Sequence, residues 1–330
     1  MTVVNFQISA SQLLHRDLLE EEKTKGVFIW EETLLTPFDE LIISWEVERP
    51  SNGSYLIQAS LFTTDWSPWL DYAFWGAFDQ YTFKKCSPDF GVQVYQDIVE
   101  VLGDNKASGF RVRLIANEEA SLEKFRVLHA SAIDRKRHAV SSTVFFDNKV
   151  VKLEFPGLSQ MTLSQSLVEN SRLCSPTSTT AVIRFLSRCI DLSPVKFAAA
   201  VLDSTFDIYG NWILNTAEAA HVLGKSWHCY VAHLTKFDQI IDKLIQGYPV
   251  VVSVKGPLKR AALPYESGHL LVVTGYDPET QEVCCMDPAF STNALTHVRY
   301  SLTDFLTAWG RRQGVAYIFE PALRPLCQFV

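Results

Sequence analysis

The sequence has no apolar run long enough to cross a membrane, which requires about 20 predominantly apolar residues. Residues 1–22 also lack the basic segment and apolar core of a secretory signal, and they end in Glu20, Glu21 and Glu22. We therefore expect a cytoplasmic protein with no membrane span, although export by a route without a signal peptide is compatible with this sequence.

Cysteine is too scattered to form a disulfide framework. The seven cysteines, an odd number, are spread along the chain, which fits a reducing compartment. Metal-binding patterns are missing as well, since the sequence has neither an HExxH motif nor paired CxxC spacing. His221, His228, Cys229 and His233 are therefore not expected to form a metal site, and no cofactor is expected.

Positive charge is in deficit, with 30 Lys and Arg against 37 Asp and Glu and a net charge of -7. Such an acidic chain binds nucleic acid poorly, and we expect no nucleic-acid partner. The one basic run, Arg135-Lys136-Arg137-His138, is short and is predicted to be a solvated loop. The length of 330 residues and the hydrophobic fraction of 47% suffice for two cores.

Residues 1–150 show short β-type runs separated by turn signals. The predicted strands are Glu40–Val47, Ser54–Phe62, Val92–Val101, Gly109–Ile115 and Phe125–Ala132. This spacing predicts an all-β sandwich of jelly-roll type. Its tryptophans either fill the core or form a glycan-binding platform; they are Trp45, Trp66, Trp69 and Trp75.

Residues 151–330 are predicted to form a second domain, which Pro156-Gly157 opens after a connector at 144–154. Helices are predicted at 174–190, 194–202, 212–223 and 236–246, and strands at 250–255, 269–276, 282–286 and 315–319. Helices followed by an antiparallel sheet are typical of the α+β class.

Cys174 lies where a helical pattern begins. Apolar residues recur at three- and four-residue spacing from Ala181 onward, and Pro176 is favoured at the first helical position, so a helix is predicted to start near Pro176. The positive end of the helix dipole and the free N–H groups of the first turn favour a thiolate. Cys174 is therefore a candidate nucleophile.

Two groups that a thiol nucleophile needs follow downstream. His269 begins a strand rich in β-branched residues, and Asp287 ends the next strand after a turn at 277–281. If the turn centres on Glu279, Leu271 faces Asp287, and the side chains of His269 and Asp287 are diagonal neighbours on one face. The imidazole would then take the thiol proton while the carboxylate holds the ring. Asp277 is the alternative acid, but turn aspartates commonly bond their own backbone.

An acyl-transfer site also needs hydrogen-bond donors for the oxyanion. Gln160 precedes Cys174 on a predicted loop, and its side-chain amide together with the backbone N–H of Cys174 would supply two donors. Gln165 is the alternative, and spacing alone does not choose between them.

Several segments, in this order over residues 151–320, carry a resemblance to a known family. They are Gly157-Leu158-Ser159-Gln160, Cys174-Ser175-Pro176-Thr177-Ser178, Tyr209-Gly210-Asn211-Trp212 with Asn215-Thr216-Ala217, Gly268-His269 and Asp287-Pro288. Together they resemble the papain-like cysteine peptidases of family 39, the bacteriocin-processing, double-glycine leader peptidase type. The resemblance is closest to stand-alone, non-transporter members that carry an N-terminal β-domain.

The resemblance implies a papain-like fold for residues 151–330 and a catalytic site formed by Gln160, Cys174, His269 and Asp287. The sequence departs from the family pattern at Ser175, where many relatives have glycine, and in the longer spacing between Gln160 and Cys174. It has no ATP-binding module, so coupled leader cleavage and export is not implied.

We therefore expect a cysteine peptidase that cleaves a peptide or isopeptide bond in a peptide or protein substrate, with cell-wall or glycan-linked peptides among the candidates. Asn211, Trp212 and Gly268 are candidate substrate-binding residues, and Trp212 is alternatively a core anchor. Two other functions use the same scaffold: acyl transfer of the transglutaminase type, and peptide or glycan binding without turnover.

Overall fold

The computed structural model of the chain describes residues 10–24, 26–142, 150–163, 166–188 and 190–322. Within these residues, ten antiparallel strands form one sheet in the first part of the chain, and seven antiparallel strands with helices around them form a second sheet. The mixed helix and sheet content agrees with the predicted α+β class. Most of the predicted connector at 144–154 lies outside the described residues, and so does the alternative donor Gln165.

The first part of the chain contains one short helix among its strands. Its elements are β1 (Ser11–Asp17), α1 (Glu20–Lys23), β2 (Val27–Glu32), β3 (Glu40–Val47), β4 (Ser54–Phe62), β5 (Leu70–Gly76), β6 (Gln80–Ser87), β7 (Val92–Gln96), β8 (Ile98–Val101), β9 (Gly109–Asn117) and β10 (Phe125–Ile133). The strand order is β1-β10-β3-β8-β7-β6-β5-β4-β9-β2.

This sheet is continuous and nearly closed, where the sequence predicts a two-sheet sandwich. The reason lies in β6, which is long enough to pair with two strands. Residues 80–82 of β6 pair with β5, and residues 83–87 pair with β7. One strand therefore joins the two groups of strands that a sandwich would keep apart.

The second part of the chain supplies the helices. Its elements are β11 (Val151–Lys152), α2 (Leu167–Asn170), α3 (Cys174–Ser187), α4 (Pro194–Val201), α5 (Trp212–Leu223), β12 (Trp227–His233), α6 (Phe237–Ile245), β13 (Val250–Val254), β14 (His269–Asp277), β15 (Glu282–Met286), β16 (His297–Ser301), α7 (Leu302–Gly310) and β17 (Val315–Pro321). The sheet order is β12-β17-β13-β14-β15-β16, with β11 beside β14.

Helices α3 to α6 and strands β13, β14, β15 and β17 agree with the predicted elements apart from small differences at their ends. Helix α3 begins at Cys174, the start predicted for the helix at 174–190, so Pro176 stands at the third helical position rather than at the first. A proline is accepted there because the first N–H groups of a helix have no intrahelical acceptor.

The two parts of the chain meet where β3 and β10 contact β12 and α5. Strand β12 is the edge of the second sheet, and three of its backbone N–H groups find side-chain acceptors in the first sheet. Cys229 N donates to Glu46 Oε1 at 2.9 Å, Val231 N to Ser44 Oγ at 3.2 Å, and His233 N to Ser131 Oγ at 2.9 Å. The first sheet therefore covers an otherwise open strand edge, and β3 is buried on both faces.

None of the helices in the described part of the chain combines the length and the apolar character needed to span a membrane.

Candidate active site

Cys174 is the first residue of α3, and it is half-buried as a free thiol. Thr177 N donates to Leu173 O at 3.0 Å and closes the first helical turn. The N–H groups of Cys174 and Ser175 precede this bond, so they are free to point at a group outside the helix. The backbone N–H groups of Leu270 and Ser175 lower the pKa of this thiol.

His269 and Asp287 are adjacent, as the hairpin pattern predicts. Val272 pairs with Met286, and the same register places Leu271 opposite Asp287. His269 Nε2 lies 2.8 Å from Asp287 Oδ1. The predicted alternative acid, Asp277, instead accepts hydrogen bonds from backbone N–H groups of its own turn.

A β-bulge produces this register. At the turn Asp277 pairs with Glu282, which is one residue out of step with the predicted pairing. The register shifts by one residue between Val273 and Gly275, so the pairing at the His269 end is the predicted one. Gly275 is required at this bulge because a Cβ there would lie 2.5 Å from Val151 O.

Asp287 is fully buried and accepts four hydrogen bonds. Oδ1 accepts from His269 Nε2 and from Ala289 N at 3.0 Å, while Oδ2 accepts from Tyr265 Oη at 2.7 Å and Tyr300 Oη at 2.6 Å. The ring of Tyr265 also stacks on His269, with ring centroids 4.0 Å apart. These contacts fix both the carboxylate and the plane of the imidazole.

Since Asp287 holds Nε2 of His269, the second ring nitrogen, Nδ1, is the one left to serve the thiol. His269 and Cys174 interact, and each shifts the pKa of the other. Burial raises the pKa of Cys174, but the bond and charge of His269 hold it below the usual thiol value. Burial lowers the pKa of His269, and the Asp287 carboxylate more than reverses that effect. These shifts favour a thiolate–imidazolium pair.

Burial would also raise the pKa of Asp287, but the charge and hydrogen bond of His269 keep it below its usual value. Burial and the Asp287 charge raise the pKa of Tyr265 and Tyr300, so both hydroxyls stay protonated and continue to donate.

Two contacts of α3 fix the sulfur relative to β14. Ser178 Oγ, one helical turn after Cys174, donates to Leu270 O at 3.0 Å. Ser175 Oγ lies 2.9 Å from Tyr317 Oη, and both residues are buried. The Ser175 side chain therefore faces the core.

A cavity of about 520 Å³ opens beside Cys174 and His269. Trp212 and Gly268, two of the residues proposed from the sequence to bind substrate, lie in its wall. Residues 95–98, where β7 turns into β8, bring the first sheet to the same cavity. Asp97 Oδ2 accepts from Trp212 N at 2.9 Å and so ties this turn to the start of α5. A second cavity, of about 540 Å³ between residues 257–264 and α7, contains neither Cys174 nor His269.

Asn211 is not in this cavity wall, contrary to the sequence-based expectation. Its Oδ1 accepts from Leu214 N and caps α5, while Nδ2 donates to Asp203 Oδ2 and Thr82 Oγ1. All of its side-chain polar groups are thus used to hold α5 against the first sheet.

Gln160 is buried, and it also lies outside the residues that line the cavity. Its Nε2 donates to Asn170 O at 2.8 Å, and its Oε1 has no hydrogen-bond partner. Its backbone N donates to Pro288 O at 2.8 Å, which places the Gln160 turn beside Asp287. The amide nitrogen retains one N–H beyond the bond to Asn170.

The other polar and aromatic candidates have packing roles. His228 contacts Glu46, His233 contacts Glu40, and His221 accepts from Arg49 N. Among the described residues, no group of three or more His, Cys, Asp or Glu side chains is arranged for a metal ion. Trp45 and Trp75 are fully buried, so they offer no glycan platform; Trp66 and Trp69 are half-buried and both contact the Arg111 guanidinium.

Four residues at the site were not predicted from the sequence: Tyr265 and Tyr300, which bond Asp287, and Asp97 and Arg312, which line the cavity. Asp97 and Arg312 come to the cavity from distant parts of the chain, and Tyr300 reaches Asp287 through the pairing of β15 with β16. The one local signal is the position of Tyr265, shortly before Gly268-His269.

The chain belongs to the Peptidase_C39 like family, whose model matches residues 152–317. This family suggests a cysteine peptidase, and therefore a hydrolase acting on a peptide or protein. Neither the curated proteins nor the solved structures include a match to the chain.

Proposed function

We propose that the protein is a cysteine peptidase that cleaves a peptide or isopeptide bond with Cys174 as nucleophile, His269 as base and Asp287 as the group that orients His269. One observation carries the proposal: His269 bonds a fully buried carboxylate and shares a cavity wall with the half-buried thiol, whose pKa it lowers. Family membership supports the same reaction class. In this proposal residues 151–330 are the catalytic domain, of papain-like fold, and residues 1–150 are an N-terminal β-domain.

The reaction follows from the charges at the site. The Cys174 thiolate attacks the carbonyl carbon, and negative charge collects on the carbonyl oxygen. The His269 imidazolium gives its proton to the leaving amine, which yields a thioester on Cys174. Water then attacks the thioester as His269 accepts a proton, and the carboxylic acid product leaves.

The oxyanion needs donors near the start of α3. The backbone N–H of Cys174 is one, because it precedes the first intrahelical bond. We propose the remaining amide N–H of Gln160 as the second. This role requires Gln160 to turn toward the cavity when substrate binds, since its amide now donates to Asn170 O.

A proteome-derived peptide library tests the proposal. We expect the wild-type protein, and not Cys174→Ala, to generate new peptide termini, with Asp277→Asn as an active control. Addition of glycine amide separates hydrolysis from acyl transfer, because amidated products would show that an amine competes with water. No Cys174-dependent products would contradict the proposed activity. A cytoplasmic location stays a prediction of the sequence.

A further inference from the structure

The guanidinium of Arg312 lies in the wall of the Cys174 cavity and forms no ion pair among the described residues. Its Nη2 donates to Ser267 O at 2.7 Å, but its buried Nε has no hydrogen-bond partner. The other arginine of the cavity, Arg172, differs because its Nη2 lies 2.9 Å from Asp207 Oδ2. A buried N–H without an acceptor is costly, so Arg312 is a donor that lacks its partner.

The surrounding residues make room for this guanidinium. Gly268 has a φ of +100°, and a Cβ at this position would lie 2.1 Å from Nη2 of Arg312. Any other residue at 268 would therefore strain the backbone and displace the arginine. Arg312 Cζ lies 5.9 Å from the ring centroid of Trp212, within the range of a cation–π contact. Arg312 is thus held next to the residue that precedes His269.

The carboxylate of Asp97, in the same cavity, balances this charge only in part. Asp97 Oδ2 already accepts from Trp212 N. Burial raises the pKa of Asp97 to about 7, although Arg312 opposes the rise, so the carboxyl is partly neutral near pH 7. The positive charge of Arg312 is therefore available to a ligand.

We propose that Arg312 is a specificity-determining residue that binds a carboxylate of the substrate beside the bond that Cys174 attacks. This inference rests on the proposed function of Cys174. The carboxylate is either the C-terminus of the peptide or an acidic side chain, since a guanidinium forms paired hydrogen bonds with both. A neutral group in this place would leave the charge of Arg312 without a counter-ion.

Two small alkylating reagents test the inference without a known substrate. Iodoacetate carries a carboxylate and iodoacetamide does not, and mass spectrometry gives the rate at which each modifies Cys174. We expect Arg312→Gln to lower the iodoacetate rate about tenfold, the factor that one charge-assisted hydrogen bond contributes. The iodoacetamide rate should change less than about twofold, because His269 still activates the thiol.

Arg311→Gln is the matched control. Arg311 is exposed, donates to Lys255 O at 3.1 Å and lines the other cavity. Its loss should leave both rates unchanged. Arg312→Lys keeps the charge and should retain part of the preference for iodoacetate. Because the His269 imidazolium also attracts anions, only the change caused by the Arg312 variants is diagnostic.

The outcomes separate this inference from the proposed function. If iodoacetamide fails to modify Cys174 of the wild-type protein faster than exposed Cys86, both proposals are wrong. If Cys174 is reactive but Arg312→Gln lowers both rates equally, Arg312 acts on the thiol, and the carboxylate site is wrong. The carboxylate site is also wrong if iodoacetate modifies Cys174 at the same rate in Arg312→Gln as in wild type.

Protection from iodoacetamide then identifies the source of the carboxylate. We expect either Ala-Ala-Ala with a free C-terminus or Ala-Glu-Ala amide to protect Cys174 better than Ala-Ala-Ala amide. The first result assigns a terminal carboxylate and the second an acidic side chain. Equal protection by all three peptides would contradict carboxylate binding at Arg312.

Discussion

At the scale of single residues, the candidate site depends on how Asp287 is held. A fully buried carboxylate is costly unless donors surround it, and here two tyrosine hydroxyls, one backbone N–H and the imidazole serve that purpose. Its negative charge raises the pKa of His269, which in turn lowers the pKa of Cys174. The reactivity of the thiol is therefore set by a group that does not contact it.

Asp287→Asn tests this chain of effects. The amide keeps the shape but loses the charge, so the pKa of His269 should fall and that of Cys174 should rise. We expect alkylation of Cys174 by iodoacetamide near neutral pH to slow about tenfold or more, since one pKa unit is a factor of ten in thiolate. Mass spectrometry measures the rate.

Asp277→Asn is the control for that change, because Asp277 is the aspartate of the adjoining turn and bonds its own backbone and Arg299. It should leave the rate unaltered. A slower rate in Asp277→Asn than in Asp287→Asn would reverse the assignment of the acid.

The roles of these residues could be predicted from the sequence only in part. The β-branched runs on both sides of a turn place His269 near Asp287, and the structure has that adjacency. Tyr265 and Tyr300 could not be predicted, since their contacts with Asp287 depend on the loop before β14 and on the pairing of β15 with β16.

At the scale of elements, the site is a helix start placed against a strand start. Cys174 begins α3, His269 begins β14, and Ser178 Oγ joins the two by its hydrogen bond to Leu270 O. The backbone N–H of the same Leu270 lowers the pKa of Cys174. One strand residue therefore acts on both ends of the first helical turn.

Ser178→Ala should loosen this junction. Leu270 O would lose a buried hydrogen bond, at a cost of about 1 kcal/mol in the free energy of unfolding. Cys174 alkylation should also slow, because the sulfur is less well held against His269. Urea unfolding and the alkylation rate measure the two effects.

Ser187→Ala is the matched control, since Ser187 Oγ donates within α3 to Ile183 O at 2.7 Å, far from β14. It should change stability alone. An unchanged alkylation rate in Ser178→Ala would mean that the Ser178 contact does not position the thiol.

Element ends were predictable where local chemistry sets them, as for α5, whose N-cap Asn211 accepts from Leu214 N. The bulge in β14 was not predictable, because it depends on the approach of Val151 to Gly275. Strand β12 was also not predicted. Its alternate N–H groups donate to the side chains of Glu46, Ser44 and Ser131. These acceptors are distant in the sequence, so no local pattern indicates them.

At the scale of the whole molecule, the first sheet and the second part of the chain form one packed unit. Glu46 is central to their contact: it is fully buried and accepts from Cys229 N, while His129 and His228 lie within 3.1 Å. The first sheet also supplies Asp97 to the Cys174 cavity. The N-terminal β-strands therefore help to build the cavity as well as to cover β12.

Glu46→Gln should destabilise the whole chain. Burial raises the pKa of Glu46, but hydrogen bonds from His129 and His228 bring it down to about 2. Its contribution to stability is present above the ordinary value of 4.5 and is lost as pH falls from there toward 2. We expect a loss of about 3 kcal/mol at neutral pH, as for a broken buried ion pair.

Urea unfolding at several pH values measures this loss, which should shrink below pH 4.5. Glu48→Gln is the control, because the Glu48–Lys124 pair is exposed and should contribute less than about 0.5 kcal/mol. Equal effects of the two variants would contradict the role given to Glu46.

The most direct test of the central claim is the pH dependence of Cys174 alkylation by iodoacetamide in wild type and His269→Ala, with exposed Cys86 as the internal reference. Because His269 lowers the pKa of Cys174, the wild-type rate should reach its plateau below the ordinary thiol pKa of 9.0. In His269→Ala only the backbone N–H groups of Leu270 and Ser175 still oppose the effect of burial, so the rise should move to higher pH than in wild type. The same profile in both proteins would contradict a thiolate–imidazolium pair.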